Sequence, residues 1–340
     1  IVYEPFDYPL NTVNPLIPGT LPVTDDLFVP QLLPSTSIGY TADYDQLCHT
    51  ANAGTAYTSA ATDAAGNIYT VYVDPQLRLT VLKKSVAGVV TQTIVRTNVT
   101  PNTFHVKPSV AVDKLGYIHV TGDMHNQPWV YYRSFLPEDI SSFEQLTTLP
   151  GNMITYPQFF KDGNGDLFIT FRHKVKVDVW SAGSSAGGII RYDAVNRSFT
   201  MLGGENHGFQ KTVVWSQYGG VDGHYQQPGI RLFFDSSNRM HLIATMIGEA
   251  GHPGASWTST HLLYAYSDDG GASFYNLSGQ LMTLPMTQDA MTVVDYSPTS
   301  EIWANAFIGA FSHNRPVVGW RTNSGSFLRK WTGDQWMDLL

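Results

Sequence analysis

The chain has 340 residues, a net charge of −8, 43% hydrophobic residues and only 14% charged ones. That apolar share suffices for a sizeable core, and the low charge with abundant Gly, Ser, Thr, Asn and aromatic residues suits a turn-rich, all-β extracellular protein. The acidic balance excludes a general binder of nucleic acid or anionic membrane, and no apolar run of about eighteen residues is present to span a bilayer.

The chain begins Ile1-Val2-Tyr3 without methionine, which reads as the start of a processed secreted protein. Residues 1–40, rich in Pro, Thr and Leu, have no strand rhythm and are expected to wrap the domain or close it against C-terminal strands. Cys48 is the only cysteine, so no intrachain disulfide is available. Cys48 and His49 are adjacent and cannot supply the separated ligands of a tetrahedral metal site, so a buried thiol is expected.

From residue 63 onward one phrase recurs: Asp63-Ala-Ala-Gly-Asn-Ile-Tyr69, Asp113-Lys-Leu-Gly-Tyr-Ile-His119, Asp162-Gly-Asn-Gly-Asp-Leu-Phe168 and the degenerate Asp235-Ser-Ser-Asn-Arg-Met-His241. Each predicts a turn entering a strand: Asp bonds the backbone ahead of it, Gly or Asn accepts positive φ, and alternating apolar residues follow. The first three aspartates are 50 and 49 residues apart. A four-stranded blade needs about forty to fifty residues, so the period predicts a seven-bladed β-propeller spanning residues 1–340 as a single domain. Ser267-Asp-Asp-Gly-Gly-Ala-Ser-Phe274 adds an Asp-box-like hairpin. The 73-residue gap between Asp162 and Asp235 contains the Gly/Ser runs 181–188 and 219–223, where long loops are expected at the ligand face.

The repeat also sorts the histidines. His119 and His241 share a position with Tyr69 and Phe168 and are expected on a packing face. His105 and His125 match no repeated residue and flank that strand in turn-like sequence, where functional side chains concentrate. Tyr156 precedes Pro157, which favours extended or turn backbone, and Arg172 follows the apolar run 167–171 near a strand end. Either could instead be structural, the tyrosine bonding across blades and the arginine closing an ion pair. His207, His224, His252 and His313 lie in Gly- or Asn-containing stretches; Asp222-Gly-His-Tyr-Gln-Gln-Pro228 makes His224 and Tyr225 candidates for sugar contact, with Asn126 beside His125. Asn98-Val-Thr100, Asn196-Arg-Ser198 and Asn276-Leu-Ser278 are glycosylation sequons, compatible with secretion.

Residues from about 100 to 190 resemble the BNR-repeat propeller lyases, including ulvan lyases and the rhamnose–glucuronate lyases, through the words HVKPSVAVDKLGYIHVTGDMHN, YYRS and TYPQFF…GDLFITFRH. The resemblance implies an active site of His105, His125, Tyr156 and Arg172, and a uronic-acid-containing polysaccharide as substrate. It leaves open a structural calcium or zinc whose ligands the matching words do not assign, while the chemistry itself needs no cofactor. A monomer is expected.

That chemistry can be built from the substrate. The C5 proton of a glucuronate is weakly acidic because the adjacent carboxylate must gain still more charge when it leaves. Arg172 would relieve this by a bidentate pair. In D-glucuronate the C5 hydrogen and O4 share a face, so Tyr156 could take the proton and return it to O4, provided its phenol, ordinarily near pKa 10, is acidified by neighbouring positive charge. His105 would activate Tyr156 or act as base itself, and His125 would orient the carboxylate or the ring. Sialidase-like glycoside hydrolases are rival propellers, but they need several arginines with an acid and a Tyr–Glu nucleophile arrangement, or in other families two catalytic carboxylates, and no such carboxylate pair stands out in the chain. A non-catalytic carbohydrate-binding propeller is the second rival, because fold does not fix function.

Overall fold

The computed structural model describes residues 60–339 apart from 75, 101–106, 152, 175–184, 206–210, 216, 219–220, 223–224, 227–229, 248–258, 298–301, 303–305, 312–314 and 323. The segment 1–40 and the Cys48-His49 pair therefore lie outside the described residues. Among those described every element is a β-strand, and every ladder between named strands is antiparallel.

The repeated phrase folds as its chemistry dictates. Asp63 Oδ1 accepts the Asn67 N–H, Asp113 Oδ1 those of Leu115 and Tyr117, Asp162 Oδ1 those of Asn164 and Asp166, and Asp235 Oδ1 those of Ser237 and Arg239. The carbonyl of each aspartate also accepts the N–H of Gly66, Gly116, Gly165 or Asn238. These four residues have φ of +88°, +88°, +80° and +62°, which only Gly, or Asn at lower cost than most, adopts readily.

Each turn sits inside a sheet. β1 (Ala60–Thr62), β2 (Ile68–Val73), β3 (Leu79–Lys84) and β4 (Val90–Arg96) form the first, in that order. β5 (Ser109–Val112), β6 (Ile118–Thr121), β7 (His125–Gln127), β8 (Tyr131–Ser134) and β9 (Phe143–Leu146) follow, but the second sheet is β5-β6-β8-β9. Strand β7 leaves it to join the third, β7-β10-β11-β12-β13, with β10 (Ile154–Lys161), β11 (Leu167–Lys174), β12 (Ser185–Asp193) and β13 (Ser198–Met201). Short pairings come next: β14 (Gly204–Glu205) with β15 (Lys211–Thr212), β16 (Val214–Trp215) on β12, and β17 (Gln217–Tyr218) with β18 (Val221–Asp222). The fourth sheet holds β19 (Tyr225–Gln226), β20 (Arg231–Phe234), β21 (Met240–Ile247), β22 (Ser259–Ser267) and β23 (Thr292–Tyr296). The fifth is β24 (Phe307–Phe311), β25 (Arg315–Thr322), β26 (Gly325–Trp331) and β27 (Trp336–Asp338).

Strands β1, β5, β10, β20 and β24, one from each large sheet, touch one another in that order. The apolar clusters lie between successive sheets: Tyr69, Val110, Ile118 and Ile169 across the first three, Phe168, Leu242, Leu263 and Phe274 across the third and fourth, and Tyr264, Val318 and Trp320 across the fourth and fifth. Full burial of each such side chain contributes about 1.5–3 kcal/mol, so face-to-face packing of sheets dominates the stability. Five sheets of four or more strands lie among the described residues.

The Gly/Ser run expected as loop is partly strand: Ser185 to Gly188 open β12 and pair with β11. The reason is Gly188, where a Cβ would stand 2.6 Å from the Phe171 ring, so glycine here is a packing requirement rather than a loop signal. The histidine sorting holds. His119 and His241 are fully buried. His119 bonds Asp113 Oδ2 (3.1 Å) and the Tyr131 hydroxyl (2.8 Å), while His241 bonds Asp235 Oδ2 (3.0 Å) and the Tyr264 hydroxyl (2.6 Å). Burial holds both imidazoles below their ordinary pKa, so each is neutral, with Nε2–H donating to the carboxylate and Nδ1 accepting from the tyrosine. In the first repeat the Tyr69 hydroxyl takes the same part, donating to Asp63 Oδ2 at 2.8 Å.

Candidate active site

The site is built on one row of the third sheet. In β10, Thr155 pairs with His125 of β7 on one side and Arg172 of β11 on the other. Residues opposite one another in neighbouring strands point to the same face, so His125, Thr155 and Arg172 project together. This holds although the histidine and the arginine are far apart in sequence.

Two bulges then add side chains to that face. The β10–β11 register shifts between Thr155 and Gln158, so Tyr156 and Pro157 together oppose Phe171. Pro157 has no N–H for a ladder bond, which makes this a natural place for the irregularity. Tyr156 has φ of +61°, a left-handed conformation that costs an aromatic residue about 1–3 kcal/mol and is held only where packing enforces it. In a regular strand the residue after Thr155 would face the opposite way. Here its ring lies under the Arg172 guanidinium, whose Cζ is 4.7 Å from the ring centroid. The extended or turn backbone expected before Pro157 is thus a left-handed bulge residue within a strand.

The second bulge is at Asn126, φ +54°, where the β7–β10 register shifts. Its N–H donates to Thr155 Oγ1 at 2.8 Å. Arg172 Nη2 in turn donates to Thr155 Oγ1 (3.2 Å) and, at longer range, to Asn126 Oδ1 (3.4 Å). Both acceptors are neutral oxygens, and these contacts aim the guanidinium. Tyr156 and Arg172 are only 7% and 3% exposed, and a charge so screened from water acts more strongly on its neighbours.

Two further buried cations lie on β11 and just before β5. Lys174 lies two residues beyond Arg172 in β11, on the same face, and burial together with the Arg172 charge lowers its pKa. Lys107, just before β5, is buried, and desolvation plus the charge of Arg231 lowers its pKa to about 8. Sequence reasoning missed Lys174, and quoted Thr155 and Lys107 without singling them out. The signal for Lys174 was the two-residue strand period after Arg172; for Thr155 none existed without the register.

The structure thus brings His125, Asn126, Tyr156 and Arg172 together. His105 and His224 lie outside the described residues. Tyr225 is placed by its backbone in β19, paired with Ile247 of the fourth sheet. Of the sequon asparagines, Asn98 and Asn196 are exposed, while half-buried Asn276 uses Oδ1 to accept the Ser278 and Gln280 N–H groups. Among the described residues no group of three or more His, Cys, Asp and Glu side chains is arranged to hold a metal ion, and no helix is long and apolar enough to cross a membrane.

A family profile described as "BNR repeat-containing family member" matches residues 67–338. Among solved structures, an ulvan lyase of a polysaccharide lyase family designated PL25 superposes with a TM-score of 0.63 at 15% identity, covering 85% of this chain and 73% of that one. The same enzyme bound to -[GlcA(1-4)Rha3S]- gives the same values. Polysaccharide lyase Uly1 superposes with a TM-score of 0.65 at 14% identity, over 85% and 74% of the two chains. At these identities the likeness is one of fold. No curated protein matches the chain in sequence.

Proposed function

We propose, from the premise that the chain belongs to the BNR repeat-containing family, that it is a secreted polysaccharide lyase cleaving at C4 of a glucuronate by β-elimination. The observation that carries this reading is the placement of Tyr156, in a strained bulge, beneath the guanidinium of Arg172. Strain of this kind is retained where geometry matters to function.

In the proposed reaction Arg172, aimed by Thr155 and Asn126, pairs with the substrate carboxylate and stabilises the enediolate that forms as the C5 proton departs. Tyr156, as phenolate, takes that proton. The C5–H electron pair becomes the C4–C5 double bond, the C4–O4 bond breaks, and the Tyr156 hydroxyl returns the proton to O4. The Arg172 guanidinium over the ring is the neighbouring positive charge that this step calls for. His125 orients the carboxylate or ring from the adjacent strand, and His105 serves as activator of Tyr156 or as base. Neither step calls for a metal. His224 and Tyr225 would contact neighbouring sugars.

The finer assignments belong to the same proposal: one seven-bladed propeller over residues 1–340, acting as a monomer and carrying glycans at Asn98, Asn196 and Asn276. The favoured substrate is L-rhamnosyl-α-1,4-D-glucuronate, as a terminal cap of an arabinogalactan such as gum arabic or within ulvan. The fold likeness to a lyase whose bound ligand is -[GlcA(1-4)Rha3S]- supports the linkage class. The test is incubation with gum arabic and with ulvan, following ultraviolet absorbance and product mass. An absorbing 4,5-unsaturated uronate is the expected product; a saturated uronate carrying an added water would mean hydrolysis instead. Free rhamnose from gum arabic without shortening of ulvan is the expected pattern, and internal cleavage of ulvan would overturn the choice of a terminal cap.

A further inference from the structure

We propose that Asp123 is a positioning residue for this site, tethering the loop that carries His125 and Asn126 to the first sheet; the inference rests on the elimination reading above. The loop from β6 to β7 is short and conformationally costly. Gly122, Asp123 and Asn126 have φ of +157°, +61° and +54°. At Gly122 no side chain could be accommodated, because a Cβ would stand 2.8 Å from Pro108 Cα. Such a backbone relaxes unless it is held from outside.

Asp123 supplies the hold. Its buried carboxylate accepts the Arg96 Nε–H through Oδ2 and the Thr100 N–H through Oδ1, each at 2.8 Å. Arg96 ends β4, so these bonds tie a loop of the second sheet to the last strand of the first. The next residue, Met124, is fully buried and its Sδ accepts the Val130 N–H at 3.0 Å. With Asp123 and Met124 both pinned, His125 and Asn126 emerge at a fixed point. There β7 can cross to β10, Asn126 can reach Thr155, and Arg172 is oriented. Asp123 acts through these residues and touches none of the reacting atoms.

The experiment uses the full chain labelled with 13C at histidine Cε1, with the His125 signal assigned through His125→Gln. Asp123→Asn and the milder Arg96→Gln are compared with Arg78→Gln, which breaks the ion pair to Asp74 within the first sheet. The two tether variants should shift the His125 signal and lower kcat/KM on a uronate polysaccharide about tenfold, whereas Arg78→Gln leaves both unchanged. Should Asp123→Asn not fold, Arg96→Gln decides the question. An unmoved His125 signal in a folded tether variant, or an equal shift in Arg78→Gln, overturns the proposal. Absence of eliminase activity in the wild type would sink the lyase reading alone, since the His125 signal still reports the tether.

Discussion

The Arg172 guanidinium lies over the Tyr156 ring, Cζ to centroid 4.7 Å, although the two residues belong to different strands and Tyr156 must adopt φ of +61° to get there. A regular β10 would bury that ring on the opposite face. The bulge therefore exchanges backbone comfort for a tyrosine and an arginine that share one surface.

Arg172→Lys keeps the charge but loses the planar fork and the contacts to Thr155 and Asn126. Turnover on the uronate substrate should fall about a hundredfold, roughly 2.7 kcal/mol of transition-state stabilisation, with the thermal midpoint little changed. Near-normal kinetics in a folded Lys variant would exclude a bidentate clamp here.

Asn126 tests how the clamp is aimed. Asn126→Ala removes the Oδ1 acceptor and strains a left-handed residue, so kcat/KM should drop about tenfold. Asn126→Asp, almost the same shape, places a carboxylate beside Arg172 that competes with the substrate's own. Its KM should rise further than that of the Ala variant. Equal KM values for the two would show that the substrate carboxylate binds elsewhere.

Much of the scaffold was legible because local chemistry enforces it. An aspartate followed three residues later by Gly or Asn closes the same turn in all four repeats, and the shared ring position correctly marked His119 and His241 as buried. The working face was legible only as a set of residue types. Its geometry depends on β7 leaving its sequence neighbours to pair with β10 and on two bulges, and register between strands distant in sequence leaves no local trace. Gly188 misled for a related reason: its neighbour Phe171, which forbids a Cβ, is set by tertiary packing.

The buried imidazoles predict an acid-labile fold. Desolvation holds the pKa of His119 and His241 below the ordinary value, so the unfolded chain binds protons that the folded chain refuses. Stability should then fall as pH drops below about 6.5, the unfolded histidine value. The Asp113 carboxyl is pushed up by burial, but hydrogen bonds from His119 and the turn N–H groups bring it below its ordinary range, so its contribution is lost at still lower pH, below about 4. Thermal unfolding followed from about pH 7 to pH 5 should show a declining midpoint. His241→Phe, which copies Phe168 of the third repeat, should flatten that decline. It should also cost about 1–3 kcal/mol at neutral pH by stranding Asp235 and Tyr264. A midpoint independent of pH in the wild type would contradict the neutral, buried assignment.

In the proposed elimination Tyr156 moves protons at both ends, and the most direct measurement of this is single-turnover kinetics of Tyr156→Phe on a rhamnosyl-glucuronate substrate, read by absorbance of the unsaturated product. Phenylalanine keeps the ring under Arg172 and removes only the hydroxyl, so substrate should still bind while the rate falls by at least a hundredfold, the lower range of a general acid–base contribution. A variant that binds normally and retains more than about a hundredth of the wild-type rate would make Tyr156 a binding residue and move the proton transfers to His105 and His125.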